Sequence, residues 1–242
     1  MNSLGIWIIA TLVAFFIKGL CGFANTLVFT SILGFGVNNV NISPVELVLG
    51  FPSNIILTWS NRKKLKPRIF VPLIILTLLG SIPGAFLLKN VDAHVIKIIF
   101  GAVVVLVGIE MLLKEYDKLH LKDSTLVLFI IGMIGGLMCG LFGVGVLMAV
   151  CVSKVTETSS EFKANLSIIF IIENLVRIIT YAFVGIITPH SLKLALILVP
   201  FMLIGVFTGM KSAALLDEKK VKKLVIILLI LSGISLIAKN LA

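Results

Sequence analysis

The chain has 242 residues, of which 59% are hydrophobic and 13% charged, with a formal net charge of +10 and a mean hydropathy of +1.19. Carrying about half the ~25% of charged residues usual in a soluble domain, this composition excludes a soluble globular fold and defines an integral membrane protein. The positive balance does not mark a nucleic-acid binder, because the basic residues fall in short loops between apolar runs, where they report orientation.

At ~20 residues per crossing, the apolar runs lie near 4–34, 44–60, 69–88, 94–113, 125–153, 165–186, 191–210 and 221–238. No Lys or Arg precedes the first run, so no removable presequence is marked and residues 1–242 are expected to be mature. That first run is too long for one span. It is interrupted by Lys18-Gly19-Leu20-Cys21-Gly22-Phe23-Ala24-Asn25-Thr26, and each glycine weakens a helix by roughly 1 kcal/mol relative to alanine. The second run follows the turn Asn38 to Pro44, where Ser43 and Pro44 suit a helix start, and it carries Asn54 after Pro52-Ser53. A basic loop, Arg62 to Arg68, leads to the third run with Gly80-x-x-x-Gly84.

The fifth run is again too long, and Leu137-Met138-Cys139-Gly140-Leu141-Phe142-Gly143-Val144-Gly145 breaks it. The sixth run carries Glu173, Asn174 and Arg177, and Thr188-Pro189-His190-Ser191 starts the seventh, which contains Gly205-x-x-x-Gly209. A second basic stretch, 211–223, precedes the last run. The three cysteines, Cys21, Cys139 and Cys151, have neither a disulfide nor a metal-type spacing, and the three histidines fall in loops. No metal or other cofactor is expected, and no nucleophile–base set supports an enzyme.

Residues 1–113 align with 114–242 as an internal repeat at an offset drifting from 118 to 125. Cys21-Gly22 falls on Cys139-Gly140, Asn54 on Asn174, and Gly80-x-x-x-Gly84 on Gly205-x-x-x-Gly209. At the same offset of 125, Asp92, Lys97 and Gly108 fall on Asp217, Lys222 and Gly233. If all eight runs cross, the two basic loops face opposite sides and the charge bias almost vanishes. If the first and fifth are re-entrant hairpins, loops 61–68 and 211–223 are both cytoplasmic, with fifteen basic residues inside against four outside. Each half is then a hairpin plus three transmembrane helices, an odd number of crossings, and the halves are inverted relative to one another. The expected fold is all-α, with two inverted-topology repeats in one membrane domain and a site where the hairpin tips meet.

The two halves, the GLCGFANT and GLMCGLFGVG tips, the Gly80-x-x-Pro83-Gly84 and Gly205-x-x-Thr208-Gly209 elements and the basic loop after the second run resemble the TauE/SafE sulfite exporter family over essentially the whole chain. The resemblance implies a permease for sulfite, sulfonates or related organosulfur anions, acting as a secondary carrier in the cell membrane. The first tip reads Phe23-Ala24-Asn25-Thr26 where many relatives carry further glycines.

An anion crossing hydrocarbon needs donors, and broken helices offer free N–H groups at the positive ends of half-helices. The expected substrate site therefore comprises Gly22, Phe23, Asn25 and Thr26 at one tip and Cys139, Gly140, Gly143 and Gly145 at the other, completed by Asn54, Asn174 and Arg177. Glu173 is the coupling-proton candidate, although Glu173 and Arg177 at i,i+4 also suit a structural pair. Lys18 is either a substrate cation or a snorkelling lysine, and Glu46 and Glu110 sit near run ends, where solvation explains them. The expected partners are a small sulfur-containing anion and the lipid bilayer, with a homodimer open. An anion channel and a non-transporting subunit remain the alternative readings.

Overall fold

The computed structural model describes residues 3–34, 39–90 and 155–213 continuously, together with isolated positions between 98 and 152 and between 215 and 238. Six α-helices run through the described residues: α1 (Ser3–Cys21), α2 (Asn25–Leu33), α3 (Asn39–Ser60), α4 (Pro67–Asn90), α5 (Ser159–Val184) and α6 (Pro189–Ala213). A single 3-10 turn, Arg62–Lys64, joins α3 to α4, and no strand occurs among the described residues. All but α2 are long and apolar enough to cross a membrane. The fourth, fifth and eighth runs lie outside the continuously described residues, as do the repeat matches Asp92, Lys97, Gly108, Asp217, Lys222 and Gly233, position 110 and most of the basic stretch 211–223.

Local chemistry sets the helix ends. Thr158 caps α5 by accepting the Glu161 N–H at 3.2 Å, and Gly185, in the left-handed region at φ 75°, closes it with the Ile186 N–H returning to the Tyr181 carbonyl. Thr188 Oγ1 accepts the Ser191 N–H at 3.1 Å, with Pro189 at the first helical position of α6, as the sequence predicts. The second expected start is displaced. The third element begins at Asn39, not at Ser43-Pro44, so Pro44 lies within α3 and everything after it sits deeper than a start at Pro44 allows.

Polarity is turned inside out. Trp59, Leu106, Phe183 and Leu196 are among the large apolar side chains presented outward, whereas Thr11, Lys18, Asn25, Glu46, Asn54, Asn165, Glu173 and Arg177 are buried. Hydrocarbon outside and protein inside is the environment in which that arrangement is stable, since intramembrane polar groups face the interior of a bundle. α1 packs along α6, α3 along both α5 and α6, and α4 along α5. The α1–α6 contact is backbone on backbone. A Cβ at Gly205 would lie 2.9 Å from the Leu12 carbonyl oxygen, one at Gly209 would overlap the Phe16 carbonyl, and one at Gly19 would lie 2.8 Å from the Met210 nitrogen. These are the close approaches that small residues permit between membrane helices.

The first break occurs where the sequence places it. α1 ends at Cys21, Gly22 has φ 87°, Ala24 has φ 72°, and α2 begins at Asn25. Its arms are unequal, at 19 and 9 residues, so at 1.5 Å per residue α1 is about 28 Å long and α2 about half that. The loop before α4 is held to α5: Asn165 Oδ1 accepts the Lys66 N–H at 2.8 Å, its Nδ2 donates to the Lys64 carbonyl at 3.1 Å, and Lys66 Nζ meets Glu161 Oε1 at 2.7 Å. The Glu161 carboxylate favours the charged ammonium and raises the Lys66 pKa.

Candidate functional site

A cavity open in part to the exterior gathers residues from both halves of the chain. From the first half come Lys18, Phe23, Ala24, Asn25, Thr26, Leu27, Glu46 and Asn54; from the second come Gly145, Phe170, Glu173, Asn174 and Arg177. The pattern follows from helical spacing. Glu46, Gly50 and Asn54 recur every fourth residue on α3, and Phe170, Glu173, Asn174 and Arg177 recur at three and four on α5, so each set forms one stripe facing the other. Gly50 leaves the necessary room, since a Cβ there would approach Glu46 Oε1 at 3.3 Å and Asn174 Nδ2 at 3.4 Å.

Glu46 and Arg177 form the hub. Glu46 Oε1 accepts from Asn25 Nδ2 at 2.5 Å and from Thr26 Oγ1 at 2.8 Å, while Oε2 faces Arg177 Nη2 at 3.5 Å. Arg177 also donates from Nη1 to the Cys139 carbonyl at 2.6 Å, lies over the Tyr181 ring at 5.7 Å, and approaches Glu173 Oε1 only to 3.7 Å through Nε. Glu46 and Arg177 are 3% and 2% exposed, so neither charge is relieved by water. Their mutual pairing and hydrogen bonds make the burial tolerable. Glu46 is the residue that sequence reasoning misplaced: it is not a solvated helix end but the acceptor that fixes the α2 start against α3. Its four-residue spacing from Gly50 and Asn54 was the available signal.

Lys18 is the opposite case. It is 1% exposed, which removes the snorkelling alternative, and it lines the cavity without any hydrogen bond or ion pair among the described residues; the Phe15 ring lies 5.8 Å from Nζ, and the Glu46 carboxylate lines the same cavity. Beside it the N-terminus of α2 is uncapped. Ala24 has no side chain to accept, the first backbone bond is Val28 N–H to the Ala24 carbonyl, and the N–H groups of Asn25, Thr26 and Leu27 have no acceptor among the described residues. An unpartnered ammonium and three free N–H groups share one cavity. Together they form an electropositive pole that an anion completes.

The expected site residues divide accordingly. Asn25, Thr26, Asn54, Asn174, Arg177, Glu173, Phe23 and Gly145 all line the cavity, Gly22 forms the bend beneath it, and Cys139 contributes its carbonyl to Arg177. Gly140 and Gly143 lie outside the described residues. One expectation needs correction. The Asn25 and Thr26 side chains are occupied by Glu46, so only their backbone N–H groups remain for a ligand. At Gly145 a Cβ would overlap the Phe170 ring. Phe170 itself was not singled out from the sequence, and neither was Phe162, which stacks edge-on against Phe23 at 5.8 Å. Among the described residues no cluster of His, Cys, Asp and Glu could hold a metal.

Comparison with known families gives one result: the profile described as sulfite exporter TauE/SafE matches residues 7–236. No curated protein and no solved structure matches the chain.

Proposed function

Because the chain belongs to the TauE/SafE sulfite exporter family, a family of membrane transporters and not of enzymes, we propose that it is a secondary carrier moving a small sulfur-containing anion across the cell membrane by alternating access. The observation that carries this reading is the unpartnered Lys18 ammonium beside the uncapped start of α2. A buried cation without an acceptor is costly unless a ligand supplies one. Arg177, with its fork already shared between Glu46 and Cys139, holds the walls of the cavity in place.

The reading includes two inverted halves, 1–113 and 114–242; the helix contacts support the repeat, and the inversion rests on the basic-residue count. α6 lays Gly205 and Gly209 on the stretch of α1 before the first break, and α4 lays Gly80 on Gly136, just before the second glycine cluster, where a Cβ would come within 3.0 Å of the Gly80 Cα. α3 packs on α6 as α5 packs on α4, and α3 and α5 pack on one another. Exchanging the halves maps this set of contacts onto itself. Loops 61–68 and 211–223 are assigned to the cytoplasm on the basic-residue count.

The test is flux into proteoliposomes with sulfite, sulfoacetate, thiosulfate and sulfate. Saturable movement with counterflow supports a carrier. Large ohmic conductance would replace this reading with a channel, and no movement of any of the four would overturn it.

A further inference from the structure

We infer that the cavity takes a singly charged oxyanion together with one proton, that Glu173 holds the proton, and that doubly charged anions are disfavoured; the inference rests on the transport reading above. The argument is one of charge. Among the described residues, ionised Lys18 from α1 and Arg177 from α5 bring two positive charges, and ionised Glu46 from α3 and Glu173 from α5 bring two negative ones, with Cys139 and Tyr181 the remaining titratable groups facing them. With these four ionised the empty cavity is balanced. A monoanion entering it leaves one negative charge uncompensated in a medium of low dielectric constant, and one proton taken up restores the balance.

Geometry selects the carboxylate that receives it. Glu46 is held as a carboxylate by donors from Asn25, Thr26 and Arg177. Glu173, equally buried, has no hydrogen bond to Oε1, and its only cationic neighbour on the same helix stands 3.7 Å away with its other nitrogens engaged elsewhere. A second unpartnered acceptor, Asn54 Oδ1, lies in the same cavity, and Asn54 is 1% exposed. Only an O–H or N–H donor satisfies it. A protonated carboxyl brings one such donor, and the Lys18 ammonium and the Asn174 amide in the same cavity are others. A monovalent metal cation in place of the proton would restore the same charge, and a sodium gradient separates the two. With a doubly charged anion the cavity remains one charge in deficit even after Glu173 is protonated.

The experiment measures steady-state accumulation in proteoliposomes under a clamped membrane potential and a clamped pH difference. Methanesulfonate serves as the singly charged probe, sulfate and thiosulfate as doubly charged ones. For the wild type we expect accumulation of the singly charged probe to change about tenfold per pH unit, one proton per anion, and to ignore both the potential and a sodium gradient. Glu173→Gln should lose the response to pH, with any accumulation that remains following the potential. Wild-type accumulation that follows the potential or sodium, equal accumulation of sulfate or thiosulfate, or a Glu173→Gln protein that still responds to pH would each overturn the proton assignment while leaving the carrier reading intact. Should Glu173→Gln fail to fold, the wild-type arms decide alone. Absence of flux for every probe would remove the carrier reading and this inference together.

Discussion

Lys18→Met separates a binding lysine from a structural one. The ammonium has no hydrogen bond or ion pair among the described residues, so its removal breaks no direct contact of that kind in the empty protein, and methionine fills nearly the same volume beside Phe15. Stability should therefore hold or rise, since an unpaired buried charge has been replaced by an apolar chain. Binding should fall. A hydrogen bond to a charged partner contributes about 1.5–3 kcal/mol, which at 1.4 kcal/mol per decade corresponds to a loss of about 10- to 150-fold in affinity. The assay pairs an unfolding curve of the purified protein without ligand with the sulfite dependence of flux. A raised KM with unchanged or higher unfolding temperature supports the site; an unchanged KM with a lowered unfolding temperature would refute the reasoning and return Lys18 to the packing of α1.

Other outcomes follow from the same geometry. Glu46→Ala leaves Arg177, Asn25 and Thr26 without their shared acceptor and should destabilise the protein by about 3–5 kcal/mol in a denaturant titration. Gly145→Ala drives a methyl into the Phe170 ring at a cost of about 1–3 kcal/mol, and Phe170→Leu in the same chain should recover much of it, as unfolding curves of the single and double variants would read. Ala24→Gly relieves a left-handed alanine, so it should stabilise by about 1 kcal/mol without changing KM. For topology, single cysteines at Leu65 and Leu216 should label from the cytoplasm and those at Val40 and Thr188 from outside; opposite sidedness of Leu65 and Leu216 would defeat the inverted arrangement.

Much of the scaffold was legible because membrane helices declare themselves by length and apolarity, and their ends by local chemistry. Thr188-Pro189-Ser191 starts α6, and the Gly22 bend falls at the expected break. The site was legible in its residues but less so in its wiring. Placing the start of α3 at Pro44 instead of Asn39 shifts the helix by about 7 Å along its axis, enough to turn a buried hub into an apparently solvated end, and that is why Glu46 was misread. With Glu46 hidden, the Asn25 and Thr26 side chains looked free to bind substrate. Hydrogen bonds between residues some twenty positions apart are set by helix packing, which no local pattern encodes. Phe170 was invisible for a related reason: an aromatic residue in an apolar run means something only once Gly145 is found beneath it.

The central claim is that an anion sits between the Lys18 ammonium and the free N–H groups at the start of α2. Selenite, an analogue of sulfite with a strong anomalous signal, tests it directly in crystals of the purified protein. The account predicts an anomalous peak in the cavity, with its oxygens within hydrogen-bonding distance of Lys18 Nζ and the backbone nitrogens of Asn25 and Thr26, and no such peak in Lys18→Met. A peak elsewhere, or the same peak undiminished in the variant, would contradict it.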